Sequence, residues 1–144
     1  MKHLYTAKVH VTGGRDGGAT SSDGRLSVRL ALPRELRGSG EAPNPEQLFV
    51  AGYAACFASS IKAAASKATV RVGSLAIDAE GVLSLRDDGS YIVSEVRLAV
   101  YSPELGGAAD VIEEAKRICA YTNATRGNVV TEVTLNPVEA TQGA

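Results

Sequence analysis

Cys56 and Cys119 are the only two thiols in this 144-residue chain, and they stand 63 residues apart. Sulfur is the strong soft nucleophile among the side chains, and its reactivity is set by its surroundings. The spacing fits neither a CxxC redox pair nor a zinc knuckle, so joint chemistry requires the fold to bring the two together. Each cysteine also has an inert reading, as a small apolar side chain in a core, and spacing alone leaves both readings open. An unperturbed thiol is only about 3% thiolate at pH 7, so a working nucleophile needs a nearby cation. Cys56 falls well inside a predicted helix, where the N-terminal dipole does not reach it. Cys119 falls in the last turn of a second predicted helix, where the dipole disfavours a negative sulfur. That position suits a resolving thiol better than an attacking one.

Charged candidates are few. Arg15 lies in a glycine-flanked loop beside Asp16, and the ordinary reading is a solvated turn residue. Glu46 lies in the first turn of the first helix, where the macrodipole alone accounts for a carboxylate. Arg126, beside Gly127, reads as a cation near a helix end. His3 and His10 have opposite parity on one strand and cannot jointly hold a metal there, so a metal site is not expected. The run Gly13-Gly14-Arg15-Asp16-Gly17-Gly18 lacks the Lys and Ser/Thr of a phosphate-cradling loop. Ser59-Ser60 follow no nucleophile-elbow pattern.

Fifteen basic and sixteen acidic residues leave a net charge of −1, with no basic block. No footprint for nucleic acid or an anionic membrane surface follows from that balance. The low-charge stretch 47–61 is shorter than the roughly 18–20 apolar residues of a membrane span, and the N-terminus has no apolar signal-peptide region. A soluble, cytoplasmic, reducing setting is expected, where a disulfide is more often transient and catalytic than structural.

The elements that must position these residues follow from periodicity. Tyr5, Ala7, Val9 and Val11 alternate as a half-buried strand. Leu26, Val28, Leu30 and Leu32 form a second alternation after the hairpin-type Asp23-Gly24, giving N-terminal strands within 1–32. Residues 33–43 read as a connector. Asn44-Pro45-Glu46-Gln47 is a helix start with Asn as N-cap, Pro at the first position and Gln at the third, predicting a central helix over 44–68. Its small residues, Ala51, Gly52, Ala55, Ala58, Ser59 and Ala63, predict close packing on several sides. Alternation over 75–85, a turn at Asp87-Asp88-Gly89-Ser90, and Val96, Leu98 and Val100 predict a hairpin. A second helix is predicted over 108–121 and a last strand over 129–135, with a frayed tail after Pro137. Residues 1–144 thus read as one α+β domain, helices packed on antiparallel sheet.

Three separated runs, taken together, resemble the organic hydroperoxide resistance (Ohr) branch of the OsmC/Ohr superfamily. They are Gly14-Arg15-Asp16-Gly17, then Asn44-Pro45-Glu46-Gln47-Leu48-Phe49 through Gly52-Tyr53-Ala54-Ala55-Cys56-Phe57, and Cys119 with Tyr121 and Asn123-Ala124-Thr125-Arg126-Gly127-Asn128. The resemblance implies an OsmC/Ohr-like fold in an intertwined homodimer with active sites at the subunit interface. It implies a peroxidase without bound cofactor that reduces organic hydroperoxides, those of fatty acids included, to alcohols. Cys56 is then the peroxidatic thiol and Cys119 the resolving one, joined as a disulfide, with Arg15 and Glu46 as the activating charged pair. The implied reductant is a dihydrolipoyl group on a lipoylated protein. Phe49, Tyr53, Phe57 and Tyr121 are candidates for an alkyl-chain pocket, or else ordinary core. The chain departs from the family in having Cys119-Ala120-Tyr121-Thr122 for the usual Cys-Pro-Tyr-Ser, and Lys116 where a His is common. Losing the proline relaxes the constraint on the residue before it.

Glu46 and Cys56 lie ten residues apart on one helix, about 15 Å along its axis. One helix does not easily bring both to a single arginine, whereas two packed antiparallel about a twofold place Glu46 of one subunit near Cys56 of the other. Alternative functions are an OsmC-like general peroxidase, told apart by comparing hydrogen peroxide with an alkyl hydroperoxide, and a dimeric redox sensor or acyl-chain binder, which would stop after one equivalent of oxidant.

Overall fold

The computed structural model describes residues 1–137, and the expected frayed tail after Pro137 lies outside the described residues. The chain divides into two compact units, Met1–Leu48 and the part from Phe49 on.

The first unit carries a three-stranded antiparallel sheet in the order β1 (Val9–Thr12), β2 (Gly18–Ser21), β3 (Ser27–Arg29). The first alternation becomes strand only from Val9, and the second only over Ser27–Arg29. The middle strand β2 was not expected, because Gly-Ala-Thr-Ser offers only a short alternation of small side chains. Yet the Asp23-Gly24 turn requires a strand on each side, and it closes with Gly24 N–H on Ser21 O (2.9 Å) and Ser21 N–H on Leu26 O (2.8 Å). Asp23 Oδ1 takes the Arg25 N–H at 3.0 Å and locks it.

Helix α1 (Pro45–Lys67) opens with a complete capping box. Gln47 N–H donates to Asn44 Oδ1, and Asn44 N–H donates to Gln47 Oε1, each at 3.0 Å. Two orphan donors of the helix end are thereby satisfied. Alanines and unbranched side chains, which lose little freedom in a helix, carry it for 23 residues. It ends in a Schellman motif, with Val70 N–H on Ala65 O (2.8 Å) and Thr69 N–H on Ser66 O (3.1 Å). Thr69 takes the left-handed position at φ 57° that glycine usually fills. At this length α1 is apolar enough to cross a membrane by composition. Tyr53, Phe57, Ile61, Ala64 and Ala65 of this helix are buried in the protein core.

In the second unit, β4 (Ala76–Leu85) and β5 (Tyr91–Tyr101) form the expected antiparallel hairpin. Asp88 Oδ1 holds its turn by accepting from Ser90 N–H (2.9 Å) and Oγ (2.6 Å). Strand β6 (Val130–Leu135) lies on the other side of β5 and runs parallel to it, so this sheet is mixed, where an all-antiparallel one was expected. The parallel pairing is possible because the helical segment between β5 and β6 is a crossover rather than a tight turn. Val96, Leu98 and Val100 of β5 meet Tyr53, Phe57 and Ile61 of α1, with Val111, Ile112 and Ala115 completing the core. Burying a side chain of this size contributes about 1.5–3 kcal/mol.

The expected second helix is in fact two: α2 (Ala109–Ile118) and α3 (Ala120–Thr125). Cys119, with φ −70° and ψ 123°, is the extended residue between them, closing α2 and opening α3. The break exposes carbonyls at the end of α2, and residues from α3 onward satisfy them. Asn123 Nδ2 donates to Arg117 O (3.0 Å), and Arg126 Nη2 to Lys116 O (3.3 Å). Arg126 is indeed a cation at a helix end, and its work is to close α2.

Candidate functional site

Arg15 is delivered by the β1–β2 turn. Gly17 N–H returns to Gly14 O at 3.1 Å, placing Arg15 and Asp16 at the turn's two central positions. The turn tolerates only glycine at three places: Gly13 and Gly14 sit at φ 77° and 87°, and a Cβ on Gly17 would collide with the Thr12 carbonyl. Arg15 Nη1 then lies 2.6 Å from Glu46 Oε1 in the first turn of α1. The contact is an ion pair without a well-directed hydrogen bond, since this buried nitrogen has no acceptor in line with its N–H. Glu46 is largely covered, at 17% side-chain exposure, while Arg15 retains 40%.

Within the second unit the two cysteines do meet. Their sulfurs are 3.6 Å apart, with the Cys119 thiol donating to Cys56, against about 2.05 Å in a disulfide. Both are free thiols; Cys56 is half-buried and Cys119 fully buried. Cys56 is held mid-helix, and Ser60 Oγ donates to its carbonyl at 3.0 Å. Ser60 is thus occupied in backbone bonding.

The surroundings of Cys119 differ from the sequence expectation. The position was read as a helix end hostile to a negative sulfur. Because the helix breaks there, the sulfur instead faces the start of α3. Burial pushes the thiol up, but the Thr122 hydroxyl, the Thr122 N–H, the Cys56 thiol and the Tyr121 N–H outweigh it and hold the group below its ordinary value. No directed cap hydrogen bond forms from the side chain, so these neighbours act as dipoles around the sulfur. Thr122 entered the sequence analysis only as a departure from the family.

The aromatic candidates form a cluster. Phe49 meets Tyr53 and Tyr121 edge-on, with ring centroids 6.2 and 6.3 Å away, and Tyr53 lies 5.6 Å from Tyr121. Tyr53 and Phe57 are fully buried, as core residues are, whereas Phe49 is half-buried and Tyr121 exposed. Gly52 makes room for Tyr121, whose hydroxyl lies 2.7 Å from where a Cβ would stand. Among the described residues no cluster of His, Cys, Asp and Glu suits a metal ion.

A long capped helix, two small sheets and a thiol pair at the helix break define an OsmC-like protein, and the family model described as "OsmC-like protein" matches residues 38–134. An organic hydroperoxide resistance protein of Xanthomonas axonopodis pv. citri (strain 306) is 43% identical over 136 residues, covering 93% of this chain and 96% of the relative. The crystal structure of an organic hydroperoxide resistance protein OsmC from Legionella pneumophila superposes with a TM-score of 0.89 at 37% identity, covering 94% of this chain and all of the other. The organic hydroperoxide resistance protein OhrB of Bacillus subtilis gives a TM-score of 0.83 at 36% identity, covering 92% and 99%. The chain belongs to the Ohr family of the OsmC/Ohr superfamily.

Proposed function

We propose that this protein is a cysteine-based peroxidase that reduces organic hydroperoxides to alcohols. The observation that carries the reading is the approach of the two thiols to 3.6 Å, one half-buried and one fully buried. The names of its relatives support the class of substrate. Cys56, the accessible sulfur, attacks the O–O bond as thiolate; the alkoxide leaves and sulfenic acid forms. Arg15 is the cation that favours an anionic sulfur and the charge developing on the peroxide oxygens, and Glu46 holds Arg15. Cys119 then condenses with the sulfenic acid to a disulfide, with loss of water. A dihydrolipoyl group on a lipoylated partner protein returns both thiols. Phe49 and Tyr121, whose rings are not fully enclosed, contact the alkyl chain, and Tyr53 backs them.

The site is composite in a homodimer. The roughly 15 Å along α1 between Glu46 and Cys56 favours pairing Glu46 of one subunit with Cys56 of the other. Ala51, Ala55, Ser59 and Ala63 form an exposed stripe of small side chains on α1, which suits close approach of a second copy. The family match runs through the boundary at Leu48, which supports treating both units as one functional domain.

The test is single-turnover reaction with cumene hydroperoxide, followed by mass spectrometry. Cys56→Ser is expected to abolish reduction. Cys119→Ser is expected to react briefly and accumulate sulfinic acid at Cys56. Full reduction by Cys56→Ser would sink the assignment.

A further inference from the structure

Beside the helix break, α2, α3 and β6 frame a cavity of about 400 Å³ lined by Glu113, Lys116, Arg117, Thr122, Arg126 and Thr131. Three cations share this space with one carboxylate, and that carboxylate is taken: Glu113 lies 2.8 Å from Lys116. Arg117 pairs at 2.7 Å with Glu114, which is not part of the lining. With both carboxylates counted, one positive charge is left over. It belongs to Arg126, which enters no ion pair among the described residues. Neutral oxygens hold Arg126 instead, Nη1 on Asn123 Oδ1 and Nη2 on Lys116 O. A guanidinium has five N–H groups, so its charge is fixed in place with donors to spare. The Thr122 hydroxyl accepts from Tyr53 Oη at 3.1 Å, which leaves its own proton to give.

We propose that this cavity binds a small oxyanion, a phosphate or carboxylate group, through Arg126 and Lys116, with the Thr122 hydroxyl as a neutral donor. An anchored, planar guanidinium offers its remaining N–H groups to a pair of oxygens at little cost in side-chain freedom. The Lys116–Glu113 contact is a weak surface pair, and Glu113 is 70% exposed, so it turns outward when a ligand takes its place on Lys116. Lys116 and Arg117 also offset the negative end of the α2 dipole, which accounts for cations in that last turn. It does not account for the excess charge on Arg126 or for a free hydroxyl proton at the same space. Lys116 and Thr122 are moreover two of the positions at which the chain departs from the usual family pattern, and both line this one cavity.

The site is concave, and its donors converge from α2, α3 and the residue that follows α3, which suits a small molecule better than the flat acidic surface of another protein. A ligand there ties Lys116 of α2 to Arg126 beyond α3. Cys119 is the extended residue between these two helices, so an occupied cavity braces the break that carries it. No bond is made or broken in the binding, and the inference does not depend on the peroxidase reading.

The test is titration of the full chain with inorganic phosphate and, separately, with citrate, read by calorimetry and by the thermal midpoint against sodium chloride at equal ionic strength. At least one oxyanion is expected to bind and to raise the midpoint beyond chloride. Tighter phosphate binding marks a phosphoryl ligand, and tighter citrate binding a carboxylate one. Lys116→Gln is expected to weaken binding about tenfold, as for one lost hydrogen bond to a charged group, and Thr122→Val by less. Arg126→Gln should weaken it most, but it also loosens the end of α2, so the first two variants carry the decision. Amide hydrogen exchange over residues 116–126 should slow when the oxyanion is bound. A rise in midpoint matched by chloride, or an affinity unchanged in both Lys116→Gln and Thr122→Val, overturns the proposal. None of these readouts requires turnover of a hydroperoxide, so the failure of one reading leaves the other standing.

Discussion

Cys56 and Cys119 are unequal before any reaction. Cys56 is reachable and sits in the middle of a helix, while Cys119 is sealed from solvent among small dipoles. In the proposed reaction a substrate meets the first and the chain itself supplies the second. Arg15 is the other residue whose character depends on its neighbours. Alone it reads as a turn arginine, but its Nη1 is brought to 2.6 Å from Glu46 by a turn that Gly13, Gly14 and Gly17 make possible. If Arg15 supports the attacking sulfur, Arg15→Ala should lower the second-order rate with an alkyl hydroperoxide by about a hundredfold, the scale of losing one preorganised charge-stabilising donor. Glu46→Gln should give a smaller loss in the same direction. Stopped-flow oxidation of the reduced protein measures both, and an unchanged rate in Arg15→Ala removes it from the mechanism.

At the scale of elements, the capping box of α1 was legible outright, because Asn44, Pro45 and Gln47 satisfy the helix end from within four residues. The break at Cys119 was not. Its stabilising bonds come from Asn123 and Arg126, which reach back to carbonyls six and ten residues earlier, and periodicity carries no trace of such returns. The parallel setting of β6 was hidden for a similar reason, since alternation fixes a strand's faces but not its direction. Helix α2 is tied to α1 by Glu114, which takes Arg117 through Nε and Nη2 at 2.8 and 2.7 Å and Lys67 at 3.4 Å. The Arg117 hydrogen bonds, opposed by some desolvation and aided by Lys67, lower its carboxyl from 4.5 to about 2. A carboxyl lowered on folding stabilises the protein above its unfolded value, so this contribution is present above pH 4.5 and fades as pH falls toward 2. Glu114→Gln should therefore lower the thermal midpoint slightly at neutral pH, as expected for exposed pairs, and the difference should close in acid. A difference that persists unchanged at the acid end would contradict this account of the tie.

For the molecule as a whole, the resemblance carried by three separated runs reached the family and its α+β fold, and the proposed site residues Arg15, Glu46, Cys56 and Cys119 lie in those runs. What no single chain displays is the covering of α1, whose small-residue stripe stands open. A composite site predicts complementation: heterodimers of Cys56→Ser with Glu46→Ala subunits place both lesions in one site and leave the other intact. Activity should reappear in purified heterodimers, and none should appear if each subunit builds its own site. The central claim, that the two thiols form a renewable peroxidase, is tested most directly by steady-state consumption of cumene hydroperoxide in the presence of dihydrolipoamide. The account predicts many equivalents reduced per subunit, with oxidised lipoamide formed in step. Consumption that halts after one equivalent, with the reductant untouched, would contradict it.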